Sequence, residues 1–362
     1  MKLGIIGLPG AGKTTIFNAL TKGDAPTGQS MGGRFDVLTA VVDVMDERVD
    51  ILSKMFNPKK TTYARITYTD VAGLKKGSSA GGGMPGELLN HLSGLDGFVH
   101  VVRAFESDLY PHPDGSVDAA RDLEALDTEF LLNDLGVVER RMEKIADSLR
   151  KGAAQNKAAA QAELALFEQM NEALSEERPL RSLNLDEEQE KSLRGYGLLT
   201  LKPTVVIINI GDDQDEVALD YDHPMTVVAN LRGKLEMELS QLSAAGDEES
   251  LEMFMEEYGV TELSLDRVVR LSYDLMGLQS FFTVGEDEVR AWTIETGSDA
   301  VKAAGTIHSD LAKGFIRAET VHYDDLVTLG GLSQARAAGK LRQEGKTYIV
   351  QDGDIINVKF NL

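Results

Sequence analysis

Gly7-Leu8-Pro9-Gly10-Ala11-Gly12-Lys13-Thr14-Thr15 is the stretch of sequence that decides the fold. It consists of a glycine, four residues and then Gly-Lys-Thr, which is the spacing of the phosphate-binding loop of nucleoside triphosphatases. The apolar residues 1–6 before it suit a buried strand, and residues 16–20 after it suit an amphipathic helix. An ordinary glycine-rich turn is the alternative, but the strand and the helix on either side favour a site for a nucleoside triphosphate.

The chemistry of triphosphate binding explains why the loop has these residues. Two glycines let the backbone turn so that its N–H groups face phosphate oxygens. Lys13 can reach the β- and γ-phosphates, and the Thr14 hydroxyl can join the shell of a Mg²⁺ ion. The helix that begins near Lys13 points its positive dipole end at the same anion. We therefore predict a nucleotide-binding loop, with Lys13 also catalytic and Thr14 a metal ligand, formed by Gly10, Ala11, Gly12, Lys13, Thr14 and Thr15.

The composition limits the class of protein. A chain of 362 residues is long enough for two or three domains, and its 42% hydrophobic content is typical of a soluble globular protein. No apolar run approaches a membrane span, so we expect a cytoplasmic protein with no membrane partner. The absence of cysteine excludes disulfides and thiolate metal sites. A formal charge of −22 disfavours nonspecific binding to nucleic acid, so no DNA partner is expected and any RNA contact needs a local basic surface.

The order of predicted elements divides the chain into three parts. Residues 1–120 and 200–278 alternate strands and helices, which predicts a mostly parallel α/β sheet of the P-loop nucleoside triphosphatase type. Residues 121–199 have apolar side chains at three- and four-residue steps and predict an inserted antiparallel helical hairpin. Residues 279–362 are strand-rich and predict a small mixed sheet, with Thr347–Val350 among its strands.

The predicted hairpin, which we call the arm, carries a group of basic residues. They are either the solvated face of a helix or a contact surface for RNA or protein. The group consists of Arg140, Arg141, Lys144, Arg150, Lys151 and Lys157.

A second nucleotide-binding motif is Asp70-Val71-Ala72-Gly73, at the end of a predicted strand. In a P-loop protein this position predicts that Asp70 holds Mg²⁺, through water, and that the Gly73 amide senses the γ-phosphate. Many such proteins place a water-orienting glutamine next, whereas this chain has Leu74. Leucine cannot orient or deprotonate water, so hydrolysis must depend on phosphate positioning, a backbone group or a partner, and we expect it to be slow.

A third motif, Asn209-Ile210-Gly211-Asp212, follows another predicted strand. It matches the Asn-Lys-x-Asp sequence that recognises guanine in small GTP-binding proteins, except that isoleucine replaces the lysine. We predict that Asn209, Ile210 and Asp212 hold the base, and that Ala229 and Asn230 offer it backbone contacts. A polar strand end without a binding role is the alternative.

These residues together resemble the YchF family, the Obg-like ATPases, over nearly the whole chain. The resemblance includes the phosphate-binding loop, the segment from Asp70 to Gly77 and the arm. Its most specific part is C-terminal, in Phe281–Gly285, Glu288–Ile294, Gly314–Glu319 and Asp352–Ile356. The resemblance implies that residues 279–362 form a TGS domain with a β-grasp fold. It also implies a slow nucleoside triphosphatase, usually preferring ATP, that associates with ribosomes.

The sequence departs from the family pattern in three ways. Arg34 stands where the family has the threonine that completes the Mg²⁺ shell, so another group must serve the metal or the switch works differently. The family tends to have glutamate at the position of Asp212. The aspartate in this chain favours GTP over ATP. No cysteine is available for thiol-based redox regulation. These differences indicate a divergent member, in which ATP and GTP remain alternatives.

Three functions follow from these motifs. The first is a slow Mg²⁺-dependent purine nucleoside triphosphatase, with ATP or GTP as substrate, that acts as a switch on the ribosome, on ribosomal RNA or on ribosomal protein. The second is a nucleotide-gated binding module with negligible hydrolysis, which Leu74 would permit. The third is a P-loop kinase, which the Asp70–Gly73 motif and the lack of an arginine-rich lid disfavour.

Overall fold

The structure of the chain is a computed structural model that describes residues 1–25, 37–71, 74, 84–152, 156–260 and 263–361. It divides into two compact units. The first consists of Met1–Ala40 and Thr67–Leu265, and the second consists of Val41–Ile66 and Asp266–Leu362. The predicted domain limits remain a prediction.

The strands lie in two sheets. In chain order they are β1 (Lys2–Ile6), β2 (Val37–Val44), β3 (Lys60–Thr62), β4 (Ala64–Val71), β5 (Gly97–Arg103), β6 (Thr204–Asn209), β7 (Thr226–Leu231), β8 (Leu278–Thr283), β9 (Glu288–Glu295), β10 (Phe315–His322), β11 (Arg342–Glu344) and β12 (Asp354–Phe360). Among the described residues, the first sheet has the order β2-β4-β1-β5-β6-β7 and the second has the order β11-β10-β12-β8-β9-β3.

The helices connect and cover these strands. In chain order they are α1 (Lys13–Thr21), α2 (Glu47–Phe56), α3 (Gly86–Ser93), α4 (Ala119–Arg150), α5 (Lys157–Ser175), α6 (Glu187–Leu193), α7 (Gly233–Ala245), α8 (Glu248–Glu257), α9 (Ser264–Leu275), α10 (Ala300–Ile307), α11 (Ser309–Lys313), α12 (Tyr323–Leu329) and α13 (Leu332–Ala337).

The first sheet is mostly parallel. β1 pairs in parallel with β4 and β5, β5 with β6, and β6 with β7. Strands β5 and β6 are buried along their whole length, as expected for strands covered on both faces. The predicted parallel α/β sheet is therefore confirmed, and the carboxyl ends of its parallel strands meet at one edge, where such folds bind ligands.

The predicted helical hairpin is also confirmed. Helix α4 is 32 residues long and packs against α5, and Gly152, two residues after the end of α4, has a φ of 65°. The N-terminal part of α4 places Leu126 and Phe130 in the core of the first sheet. Its C-terminal part packs against α5 in a separate cluster that includes Val138, Ile145, Phe167 and Met170. The arm thus has its own core but shares α4 with the sheet.

The second sheet has the β-grasp arrangement that was expected of the C-terminal part. β8 and β9 form an antiparallel pair, β12 pairs in parallel with β8, and β10 pairs antiparallel with β12. Helix α10 contributes Ala300, Ala303 and Ala304 to the core of this sheet. One predicted strand, Thr347–Val350, is wrong: Thr347 lies in a turn, and the rest has no regular structure apart from an isolated bridge at Ile349. The strand lies earlier, at β11. Val350 is buried in the core, so its apolar character reflects burial without strand pairing.

Residues 41–66 pack within the second unit. Strand β3 pairs in parallel with β9 at the edge of the β-grasp sheet. Arg48 of α2 donates to Asp352 at 2.6 Å, and its guanidinium carbon lies 5.1 Å from the centre of the Phe282 ring. The sequence did not indicate β3, because three residues are too few to display an alternating pattern.

Candidate functional site

The predicted site residues lie mostly at the carboxyl edge of the first sheet. The phosphate-binding loop follows β1, Asp70 lies near the end of β4, and Asn209 is the last residue of β6. Because these strands run parallel, their ends bring together residues that are far apart in sequence. The fold thus assembles the three motifs at one edge.

The phosphate-binding loop has the backbone conformation that its glycines permit. Gly10 and Gly12 have φ angles of 79° and 93°, which L side chains rarely adopt. A Cβ atom at Gly12 would also lie 2.2 Å from Nδ2 of Asn209, so a larger residue would clash. Helix α1 begins at Lys13, with Thr14 and Thr15 in its first turn, and Ala11 is buried beneath the loop. The backbone therefore provides N–H groups at a helix N-terminus for an anion.

The ammonium group of Lys13 lies against its own loop. Its Nζ donates to the carbonyl oxygens of Gly7 and Leu8 at 3.0 and 3.1 Å. Burial lowers the pKa of Lys13, and the carboxylate of Asp70 opposes this shift. A cation held in this position can interact strongly with phosphate, because little water screens it.

Thr14 and Asp70 meet directly. The Thr14 hydroxyl donates to Oδ2 of Asp70 at 2.8 Å. The other oxygen, Oδ1, is buried and has no hydrogen-bond partner among the described residues. Burial raises the pKa of the Asp70 carboxyl, against the opposing effects of the Thr14 hydrogen bond and the Lys13 charge. A hydroxyl and an under-coordinated carboxylate are oxygen ligands that suit Mg²⁺, so these residues fit the expected metal.

Asn209 joins the phosphate-binding loop to the segment after β7. Its Nδ2 donates to the Ala11 carbonyl at 2.9 Å, and its Oδ1 accepts from the Gly233 N–H at 3.1 Å. Both hydrogen bonds are buried, and the side chain is 3% exposed. The structure therefore places Asn209 as a support of the loop, and its contact with a base remains a prediction.

The other residues predicted to contact the base are Ile210, Asp212, Ala229 and Asn230. Ile210 is buried, and its backbone N–H donates to the Leu231 carbonyl. Asp212 is partly exposed, with Oδ2 3.6 Å from Nζ of Lys234. Ala229 and Asn230 lie inside β7 rather than after it, and the Asn230 side chain pairs with the backbone of Val217. The residues that follow β7 at the site edge are Arg232, Gly233 and Lys234.

Leu74 lies in the hydrophobic core of the first sheet. Its side chain is 1% exposed and packs with Ile6, Val71 and Leu88 in the core of the first sheet. The Leu74 side chain is therefore part of the core and has no polar atom to offer a phosphate. Gly73 and Arg34, which were predicted at the γ-phosphate and near the metal, lie outside the described residues.

Two further residues line the loop and were not predicted. Arg103, at the end of β5, is 2% exposed and donates to the carbonyls of Phe105 and Tyr110. Its Nη1 lies 3.3 Å from the position of a Cβ atom on Gly10, and the Phe105 ring lies 3.9 Å from that of Gly12. The available signal was that Arg103 is a charged residue ending a buried strand, the same kind of position that Asp70 and Asn209 occupy.

The parallel sheet with a phosphate-binding loop at its carboxyl edge places the chain among the P-loop nucleoside triphosphatases. A family model described as 50S ribosome-binding GTPase matches residues 2–138. A second model, YchF-GTPase_C, described as a protein of unknown function, matches residues 278–361. The chain belongs to the YchF family of Obg-like ATPases, as the following relatives establish.

Relatives match the chain from end to end. The ribosome-binding ATPase YchF of Bacillus subtilis is 40% identical over 372 residues, covering 99% of each chain. Its counterpart in Escherichia coli O157:H7 is 39% identical over 368 residues, covering 100% of this chain and 99% of the relative. Obg-like ATPase 1 of Caenorhabditis elegans is 36% identical and is covered over 92% of its length. The solved Schizosaccharomyces pombe YchF GTPase superposes with a TM-score of 0.85 at 32% identity, covering 99% of this chain and 97% of the other.

The predicted resemblance is thus confirmed, and the chain is a nucleotide-hydrolysing enzyme of this family. Among the described residues, no helix is both long and apolar enough to cross a membrane.

Proposed function

We propose that the protein is a slow, Mg²⁺-dependent purine nucleoside triphosphatase that acts as a nucleotide-dependent switch on the ribosome. The observation that carries the proposal is the contact between Thr14 and Asp70 beside the partly buried Lys13. It brings a cation and two metal-type ligands together at the loop that would hold the triphosphate.

Each residue has a role in this proposal. Thr14 and Asp70 would hold Mg²⁺, which would neutralise the negative charge of the phosphates. Lys13 and the backbone N–H groups of residues 10–15 bind the phosphates, and the Gly73 amide contacts the γ-phosphate. Asn209 holds the loop in place, while Ile210, Asp212 and the segment near Ala229 and Asn230 surround the base.

The identity of Leu74 supports slow hydrolysis. A buried leucine cannot orient the attacking water, so catalysis depends on phosphate positioning and electrostatic stabilisation. The same observation favours the second candidate function, a nucleotide-gated binding module with negligible hydrolysis. Phosphate release with and without ribosomes separates the two, because only the enzyme turns over.

The names of the relatives support the ribosome as the partner. The Bacillus and Escherichia proteins are named ribosome-binding ATPases, and full-length similarity extends that partner to this chain as a proposal. The ribosomal contact would be with ribosomal RNA or protein, and a ribosome-associated protein would act in the cytoplasm.

The test compares wild-type protein with Lys13→Ala in ATP and GTP titrations with Mg²⁺ and in phosphate-release assays. Loss of a charge-assisted contact with phosphate is expected to weaken nucleotide binding by about 100-fold and to abolish turnover. Lys191→Ala, which removes an exposed lysine of α6, is the matched control and should leave both unchanged. Equal affinity and turnover in Lys13→Ala and wild type would contradict the proposal.

A further inference from the structure

A buried arginine lies beside the phosphate-binding loop. Arg103 is the last residue of β5 and is almost entirely removed from solvent. It lines a cleft together with Leu8, Pro9 and Ala11 of the loop. Because β5 runs parallel to its neighbours, its last residue lies at the edge of the first sheet where the triphosphate is expected. Arginine keeps its charge in proteins, so Arg103 is a permanent cation next to the loop.

Three contacts fix the guanidinium group of Arg103. Its Nε donates to the Phe105 carbonyl at 3.0 Å, and its Nη2 donates to the Tyr110 carbonyl at 2.7 Å. The group also lies over the Phe105 ring, with 4.6 Å between the guanidinium carbon and the ring centre. A planar group held at two nitrogens and on one face has little freedom to turn. The position of the third nitrogen, Nη1, is therefore fixed as well.

The Nη1 atom lies against the phosphate-binding loop. It is 3.3 Å from the position that a Cβ atom would take on Gly10, so a side chain at that position would crowd it. Nη1 has no hydrogen-bond partner among the described residues, yet it is not one of their fully enclosed polar atoms. Glycine at position 10 thus leaves a charged donor open in the cleft.

The charge of Arg103 has no acidic partner in the part of the chain that the structure describes. Asp122 lines the same cleft, but it pairs with His112 at 2.7 Å and with Arg121 at 3.1 Å. A buried charge is unfavourable unless an opposite charge compensates it. An anionic ligand in the phosphate-binding loop would supply the compensating charge.

We propose that Arg103 binds a phosphate oxygen of the nucleotide through Nη1, as a second cation beside Lys13. The inference rests on the proposed function, because it requires the triphosphate to lie in the loop. The two cations come from different elements, Lys13 from the start of α1 and Arg103 from the end of β5. Arg103 is thereby assigned as a phosphate-binding residue, and Gly10 as the residue that gives it access.

The test uses inorganic tripolyphosphate with Mg²⁺, which has the phosphates of the nucleotide but no base. Calorimetry measures the affinities of wild type, Arg103→Gln and Arg103→Lys for tripolyphosphate and for ATP. Arg103→Gln removes a charge-assisted hydrogen bond and should weaken the binding of both ligands about tenfold or more. Arg103→Lys keeps the charge and should lose clearly less, since a single contact with phosphate needs no planar fork.

The dependence on salt distinguishes a phosphate contact from a structural role. Added salt screens each cation that attracts the phosphates, so it should weaken tripolyphosphate binding less in Arg103→Gln than in wild type. If Arg103 only held the Phe105 and Tyr110 carbonyls in place, the two proteins would respond to salt equally. A loss of affinity for ATP alone would likewise mean that Arg103 acts through these carbonyls, and would overturn the inference.

Arg181→Gln is the matched control. Arg181 is also a partly buried arginine of the first unit, and it donates to the hydroxyls of Thr226 and Tyr221. Thr226 is the first residue of β7, so Arg181 lies at the opposite edge of the sheet from the loop. Its replacement should lower the melting temperature and leave the affinity for tripolyphosphate unchanged.

A crystal structure of wild type with Mg²⁺ and a non-hydrolysable ATP analogue tests the contact without a variant, which matters if Arg103 is needed for folding. Nη1 should lie within about 3.2 Å of a phosphate oxygen. A separation too long for a hydrogen bond would overturn the inference. A tripolyphosphate affinity of Arg103→Gln within about twofold of wild type would do the same, because a lost charged contact costs more than that.

The outcome also separates this inference from the proposed function. Nucleotide binding that depends on Lys13 but is unchanged in Arg103→Gln refutes the role of Arg103 alone. Wild-type protein that binds neither ATP nor GTP refutes the proposed function, and the role of Arg103 with it.

Discussion

At the scale of single residues, Asn209 shows how one side chain can support a whole site. Its amide pairs with the Ala11 carbonyl and the Gly233 N–H, so it joins the phosphate-binding loop, β6 and the start of α7. Alanine at this position would leave two buried backbone groups without partners. Each such group costs about 1–3 kcal/mol.

We expect Asn209→Ala to lower the free energy of unfolding by about 2–4 kcal/mol and to weaken ATP and GTP equally, because the residue positions the loop rather than recognising the base. Urea denaturation and nucleotide titration measure the two effects. Asn18→Ala is the matched control: this buried asparagine also loses two hydrogen bonds to backbone, both to Ala25, and the variant should destabilise the fold with little effect on nucleotide affinity. A changed preference between ATP and GTP with unchanged stability would instead assign Asn209 to the base.

At the scale of secondary-structure elements, the structure distinguishes the basic residues of the arm. Arg141 pairs with Glu163, and Arg150 and Lys151 both pair with Asp147. Arg140 and Lys144 lie one turn apart on α4, are exposed and have no ion pair among the described residues. Lys157, at the start of α5, is likewise exposed and unpaired among the described residues, so these three are the basic residues of the group most available to an anionic partner.

We expect Arg140→Glu with Lys144→Glu to weaken ribosome binding about tenfold or more at low salt, with a smaller loss as salt rises, because screened phosphate contacts are salt-dependent. Co-sedimentation with ribosomes over a salt series measures this. Arg150→Glu with Lys151→Glu makes the same charge change at positions that are already paired, and should have a smaller effect. Equal losses for both double variants would mean that overall charge, not this face of α4, governs binding.

The elements also show what sequence patterns can and cannot predict. The phosphate-binding loop and the arm were predictable, because spacing and helical period depend on local sequence. Strand β3 and the true position of β11 were not, since a strand of three residues exists only through its partner strand. The site was predicted in part for the same reason: Asn209 was identified by spacing, but its partners at Ala11 and Gly233 depend on how the strand ends meet.

At the scale of the whole molecule, stability should depend on pH through His100. This residue of β5 is 2% exposed, and burial, with further contributions from Lys13 and Arg181, lowers its pKa to about 3. An unfolded histidine has a pKa of about 6.5. Between these values the unfolded chain binds a proton that the folded chain does not, so stability falls as pH falls below 6.5.

We expect protonation of His100 in the unfolded chain to lower the free energy of unfolding by about 2 kcal/mol as the pH falls from 7 to 5. Chemical denaturation followed by far-UV circular dichroism measures the drop. A His100→Gln variant should show a drop smaller by that amount, because glutamine does not titrate. Identical drops in the two proteins would show that His100 is protonated in the fold or that other groups dominate.

The length of α4 has a mechanical consequence. The helix is anchored in the sheet core at Phe130 and continues without a break to Arg150, which is about 30 Å further at 1.5 Å per residue. A stiff rod of this length acts as a lever, so that a tilt of about 5° at its base would carry its far end through ~3 Å. A shift at the carboxyl edge of the first sheet can thus be too small to disturb the packing of the core. At the tip of the arm it would still produce a displacement of about the length of a hydrogen bond.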